Sequence, residues 1–110
     1  MAASIARFIQ KSAAIDTVTL VAAGTGGNSP AVEDEECANY IEYLLTGTGY
    51  DHLVSIAKII NWEDHQEILR NKRSHFPIED MIISLQRDLF NFVMIGHGSK
   101  PPIIVEWAMV

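Results

Sequence analysis

Cysteine is almost missing from this 110-residue chain: Cys37 stands alone, so no intrachain disulfide can form and nothing ties the protein to an oxidising compartment. Positive charge is scarce too. Eight lysines and arginines face fourteen acids, a formal net charge of −6, and the basic residues are scattered apart from Arg70, Lys72 and Arg73. Phosphate neutralisation needs a concentrated positive footprint, which argues against nucleic acid as a partner. An anionic membrane surface is disfavoured on the same ground. Long apolar runs are lacking as well, since residues 18–23 and 92–95 fall far short of the ~20 residues that span a bilayer. No two of His52, His65, His75 and His97 lie within four residues of each other, which leaves no close zinc-ligand pair. Arg7 and Lys11 interrupt any secretory signal core. The expectation is one cytoplasmic domain over residues 1–110, its 48% hydrophobic content sufficient for a single core. There is no repeat, low-complexity tract or linker.

What is present is a succession of helical and β patterns. Ile5, Phe8, Ile9 and Ala13 recur at helical spacing over residues 4–14. Residues 18–23, Val-Thr-Leu-Val-Ala-Ala, form a short, nearly unbroken apolar run, as expected of a buried parallel-type strand. A glycine-rich turn, residues 24–30, then leads into a helix over 30–45. Its predicted inward stripe is Cys37, Ala38, Ile41, Leu44 and Leu45, and Gly47 and Gly49 end it. In this pattern Cys37 is a buried thiol, whereas Glu35, Glu36 and Glu42 fall on flanking, solvated faces. Further helices are expected at 51–60, at 61–71 behind an Asn61/Asp64 capping pair, and from Pro77 to Arg87. Residues 89–95 and 103–110 form a C-terminal hairpin. The predicted fold is therefore a layered α/β domain with a short mixed sheet, one buried parallel-type strand plus the hairpin, covered by helices.

Two groups could carry chemistry. In the turn, glycines let backbone N–H groups approach an anion at the start of a helix, although the spacing fits no nucleotide fingerprint. A tight, well-capped strand-to-helix turn would have the same pattern. One turn into the helix, Glu33 and Asp34 sit four residues before Cys37 and Ala38, at the head of the apolar stripe. Paired carboxylates there suit a hard cation such as Mg²⁺, which uses one or two carboxylates plus water and substrate phosphate. They would equally serve the helix dipole. Glu79, Asp80 and Asp88 form a weaker set, with Asp80, Ser84 and Asp88 on one face if the helix runs that far. Trp62 and Trp107 fit core or interface positions better than base-stacking platforms.

The string Val18-Thr-Leu-Val-Ala-Ala-Gly-Thr-Gly-Gly, followed by Ala31-Val-Glu-Asp-Glu-Glu-Cys-Ala38, resembles the 2-phosphosulfolactate phosphatase family. There a strand ends in an A-G-T-x-G turn and leads into an A-x-E-D-x-x-C-A helix. Ala23, Gly24, Thr25 and Gly27 match the turn; Ala31, Glu33, Asp34, Cys37 and Ala38 match the helix. A second block, from Glu79 through Asp88 and on to Ile95, is similar to the family's closing segment, with Ser84 where the family has cysteine. The resemblance covers the C-terminal half of the family only. It implies Mg²⁺-dependent hydrolysis of a small phosphorylated, sulfonated acid, a step toward coenzyme M. Gly24, Thr25 and Gly27 would border the phosphate, and Glu33 with Asp34 would hold the metal. It also implies that the chain associates with a separate N-terminal half or with a copy of itself. A noncatalytic interaction module that keeps the fold without the activity is the alternative.

Overall fold

The computed structural model describes residues 1–71, 75 and 77–110; Lys72 and Arg73 of the basic cluster lie outside them. Among the described residues five helices precede a hairpin: α1 (Ala2–Lys11), α2 (Val32–Thr46), α3 (His52–Asn61), α4 (Glu63–Leu69), α5 (Ile78–Leu85), β1 (Phe92–His97) and β2 (Ile104–Met109). The class is mixed α/β with a small sheet. The two strands pair antiparallel from Phe92↔Met109 to His97↔Ile104.

Most elements end where their chemistry requires. Gly47 closes α2 in the left-handed conformation, φ 78°, with its N–H on the Tyr43 carbonyl, a position that glycine takes without a Cβ penalty. Asp51 caps α3 by accepting from the Val54 N–H. The Asn61/Asp64 cap expected for α4 does not form; Trp62 occupies the N-cap position without a side-chain hydrogen bond. At the C-terminal end of α5 the chain turns extended at Gln86, so Asp88 leaves the helical face it was expected to share with Asp80 and Ser84.

Packing is mostly serial. α2 lies on α3, α3 on α4 and α4 on α5, while α1 packs against both α2 and β1 and so joins the two ends of the chain. Ser4 is fully buried at that junction, donating its hydroxyl to the Phe90 carbonyl at 2.9 Å. Ala6, Ala31, Ile41, Ile59, Met81 and Val93 are the buried apolar residues. This is a thin core. The radius of gyration is 15.6 Å, against about 13 Å for a compact chain of this length. Among the described residues no helix is long and apolar enough to cross a membrane.

Two expectations are corrected here. Residues 18–23 form no strand: among the described residues the sheet consists of β1 and β2, and this apolar run pairs with neither. Val21 is 82% exposed. On α2 the expected stripe holds at Ile41, which is buried, and in part at Ala38, Leu44 and Leu45, but not at its first position. Glu36 is buried and Cys37 exposed, with Glu36 Oε1 3.5 Å from Lys58 Nζ of α3. A step of one residue is about 100° around a helix, enough to exchange the two environments.

Candidate functional site

The glycine-rich turn is closed by its own atoms. The Thr25 N–H donates to the Ser29 carbonyl at 2.8 Å, and the Asn28 and Ser29 N–H groups return to the Thr25 carbonyl. Gly24 sits at φ 76°, and a Cβ there would run into the Ser29 carbonyl oxygen, so only glycine fits. Its N–H donates to Asp34 Oδ2 at 2.9 Å, which ties the turn to the first turn of α2. Two of the amides expected to face a phosphate are thus occupied.

Glu33 and Asp34 part company for the same helical reason. Asp34 secures the turn, while Glu33 points to α4, with Oε2 3.5 Å from His65 Nε2. The expected metal pair of Glu33 with Asp34 does not share a site. His65 is only 5% exposed, and its ring meets Trp62 edge-on at 5.2 Å. Glu33 Oε2 and His65 Nδ1 are both buried without a hydrogen-bond partner. A buried polar atom left unpaired costs about 1–3 kcal/mol, so such a pair needs an explanation.

The pair lines a cleft of about 310 Å³, with Thr25, Asp64, Asp80, Ser84 and the apolar Trp62, Ile68 and Met81. Three carboxylates, an imidazole and two hydroxyl-bearing residues therefore border one space, supplied by the turn, α2, α4 and α5. Ser84 Oγ donates to the Met81 carbonyl. No lysine or arginine lines the cleft among the described residues. Of the residues expected to border phosphate, Thr25 is here, whereas Gly24 and Gly27 line a separate depression with Glu35. Asp80 and Ser84 are brought together as expected, and Asp88 is not. His65 was missed from sequence. Its spacing with Ile68, three residues on, fits an inward helical face, but nothing local pairs it with Glu33.

The oxygen donors suit a hard cation, and the orphaned Glu33 Oε2 is an acceptor that such an ion would satisfy. No group of three His, Cys, Asp or Glu side chains forms a ready-made metal cage among the described residues. An ion held largely by water and substrate phosphate needs none.

A second cavity, about 300 Å³, shares Glu33 and Ser84 with this cleft and includes Cys37, Tyr40, Tyr50 and Asp88. Here the carboxylate is fully engaged. Asp88 accepts from the Ala3 N–H at 2.7 Å and the Tyr40 hydroxyl at 2.8 Å, with the N-terminal ammonium at 3.5 Å. Burial alone would raise its pKa; these hydrogen bonds and the ammonium outweigh burial and hold the carboxyl below the usual carboxylate range. Although Cys37 is exposed as a residue, the part of its thiol withdrawn from water, then the neighbouring Asp34, pushes its pKa up, the opposite of an activated nucleophile.

No known protein family, curated protein or solved structure matches this chain.

Proposed function

We propose that the chain is a hydrolase domain acting on a small phosphorylated acid with the help of Mg²⁺, and that its working residues line the Glu33–His65 cleft. The observation that carries this reading is the Glu33–His65 pair itself, in which a buried carboxylate oxygen and a buried imidazole nitrogen lack hydrogen-bond partners at the edge of an oxygen-rich cleft. Buried polar groups are maintained at such a cost where a ligand completes them. His65 steadies Glu33, and Glu33 with Asp80 presents carboxylate oxygens to the cation. Mg²⁺, when bound, would neutralise charge on the phosphoryl oxygens. The Thr25 hydroxyl, which borders the cleft, would donate to one of those oxygens. The resemblance to 2-phosphosulfolactate phosphatases favours the same substrate class. Further cationic groups must come from another chain or another segment, because the acids would otherwise repel the substrate.

Turnover of an aryl phosphate with and without Mg²⁺ tests the proposal. Glu33→Gln is expected to lower kcat/KM by about 100-fold or more, and Asp34→Asn to leave it within about threefold through its purely structural contact. Equal activity in Glu33→Gln and the wild type would refute the assignment. The noncatalytic module is a second reading, favoured by the self-closed turn, where the Gly24 and Thr25 amides already have protein acceptors. Metal-independent silence at high protein concentration supports it.

A further inference from the structure

Two histidine–glutamate pairs in this chain have different spacings. On the hairpin, His97 Nε2 and Glu106 Oε2 stand 3.0 Å apart in an exposed hydrogen bond. Between α2 and α4, His65 Nε2 and Glu33 Oε2 stand 3.5 Å apart, and Glu33 Oε2 is buried without any hydrogen bond. The His65 side chain is 6% exposed, and its other ring nitrogen, Nδ1, is buried without a partner. Nothing at Nδ1 therefore fixes the tautomer, and Nε2 is free to offer its lone pair to the cleft.

We propose that Glu33 Oε2 and His65 Nε2 are two ligands of a zinc-type divalent cation, with water completing its coordination. Spacing is the first argument. A charge-assisted hydrogen bond brings nitrogen and oxygen to about 2.7–2.9 Å, and neighbouring ligands about 2.1 Å from an octahedral Mg²⁺ stand about 2.9 Å apart. Ligands about 2.1 Å from a tetrahedral Zn²⁺ stand about 3.4 Å apart. The pair at 3.5 Å matches the tetrahedral edge. Donor chemistry is the second argument, because an imidazole beside a carboxylate suits Zn²⁺, whereas Mg²⁺ takes oxygen ligands. Charge is the third. Asp64 and Asp80 border the same cleft, and among the described residues no lysine or arginine does, so the local field favours a dication. Two protein ligands set a modest affinity, on the order of 1–100 µM. The bare Nδ1 acts in the same direction, since tightly held metal-binding histidines donate from that second nitrogen to an acceptor. A consequence for catalysis rests on the reading above that Glu33 serves Mg²⁺: an ion tied to His65 takes that oxygen away, so zinc inhibits.

Competition with a chromogenic zinc indicator on the full chain, at about pH 7 where the imidazole is largely neutral, tests the site. Zn²⁺ should bind, about tenfold or more weakly in Glu33→Gln and in His65→Gln, and with unchanged affinity in His97→Gln, which removes the hydrogen-bonded pair on the hairpin. Co²⁺ in place of Zn²⁺ should show the intense visible bands of a tetrahedral ion. In a Trp107→Phe background it should also quench Trp62, whose ring lies 5.2 Å from that of His65. Far-UV circular dichroism checks that each variant is folded, and Glu33→Gln carries the test on its own if His65→Gln unfolds. Absence of zinc binding, the weak bands of octahedral Co²⁺, or an affinity indifferent to Glu33→Gln overturns the proposal. The two readings fail separately. Mg²⁺-dependent turnover in a chain that does not bind zinc refutes the zinc site and leaves the hydrolase, whereas zinc binding at Glu33 and His65 without turnover at any Mg²⁺ concentration supports the zinc site and refutes the hydrolase.

Discussion

Two carboxylates, Glu33 on α2 and Asp88 bonded to it through Tyr40, meet opposite fates. Asp88 has a hydrogen bond on each oxygen, from Ala3 and Tyr40, and joins the loop ahead of β1 to α1 and α2. Glu33 has a buried oxygen with no hydrogen-bond partner, 3.5 Å from an imidazole nitrogen. The first is a fastening; the second has capacity left for something the chain itself does not provide. Acidity alone does not distinguish them, since both lie in cavities and both are near a chain reversal. The number of donors that the fold brings to each does.

Stability measurements should break the comparison most sharply at Asp88. Asp88→Ala removes the acceptor of two hydrogen bonds and puts alanine at φ 57°, so urea denaturation should give a loss of about 2 kcal/mol. Glu33→Gln should remain within about 0.5 kcal/mol of the wild type, because no satisfied partner is lost. If Glu33→Gln were the more destabilising of the two, the distinction would be wrong.

Asp34 stands between these cases, with a single acceptor role toward the Gly24 N–H. Asp34→Ala should cost about 1 kcal/mol and loosen the turn, seen as faster hydrogen exchange at Gly24. A smaller effect concerns pH. Asp88 is held below the ordinary carboxylate range, so its contribution is complete above about pH 4, the unfolded value, and fades as pH falls through its lower native value. Tyr40→Phe, which removes one of the hydrogen bonds responsible, should flatten that acid-side loss in thermal melts recorded from pH 5 down to about pH 2.

Helices were the legible part of the sequence. Their apolar spacing, Gly47 behind α2 and Asp51 ahead of α3 located them to within a few residues, since those signals act between positions three or four apart. The hairpin was legible from two β-rich runs around a Gly/Pro loop. The run at 18–23 was not interpretable in the same way. Its β-forming residues record a tendency to pair, and pairing needs a neighbouring strand that β1 and β2 do not supply. The candidate site was half legible. Thr25, Glu33, Asp80 and Ser84 were marked by residue type and position, but Glu33 was matched with its sequence neighbour when its spatial neighbour is His65.

The chain's composition and periodicity determined its acidic character, its order of helices and hairpin, and the glycine that the turn at 24 demands, because these depend on charge, short-range sterics and contacts within a few residues. Only the tertiary structure decided that Glu36 is covered and Cys37 is not, and that Asp34 fastens a loop while Glu33 faces His65. Each of those outcomes depends on which elements meet after folding, which contacts between positions a few residues apart do not encode.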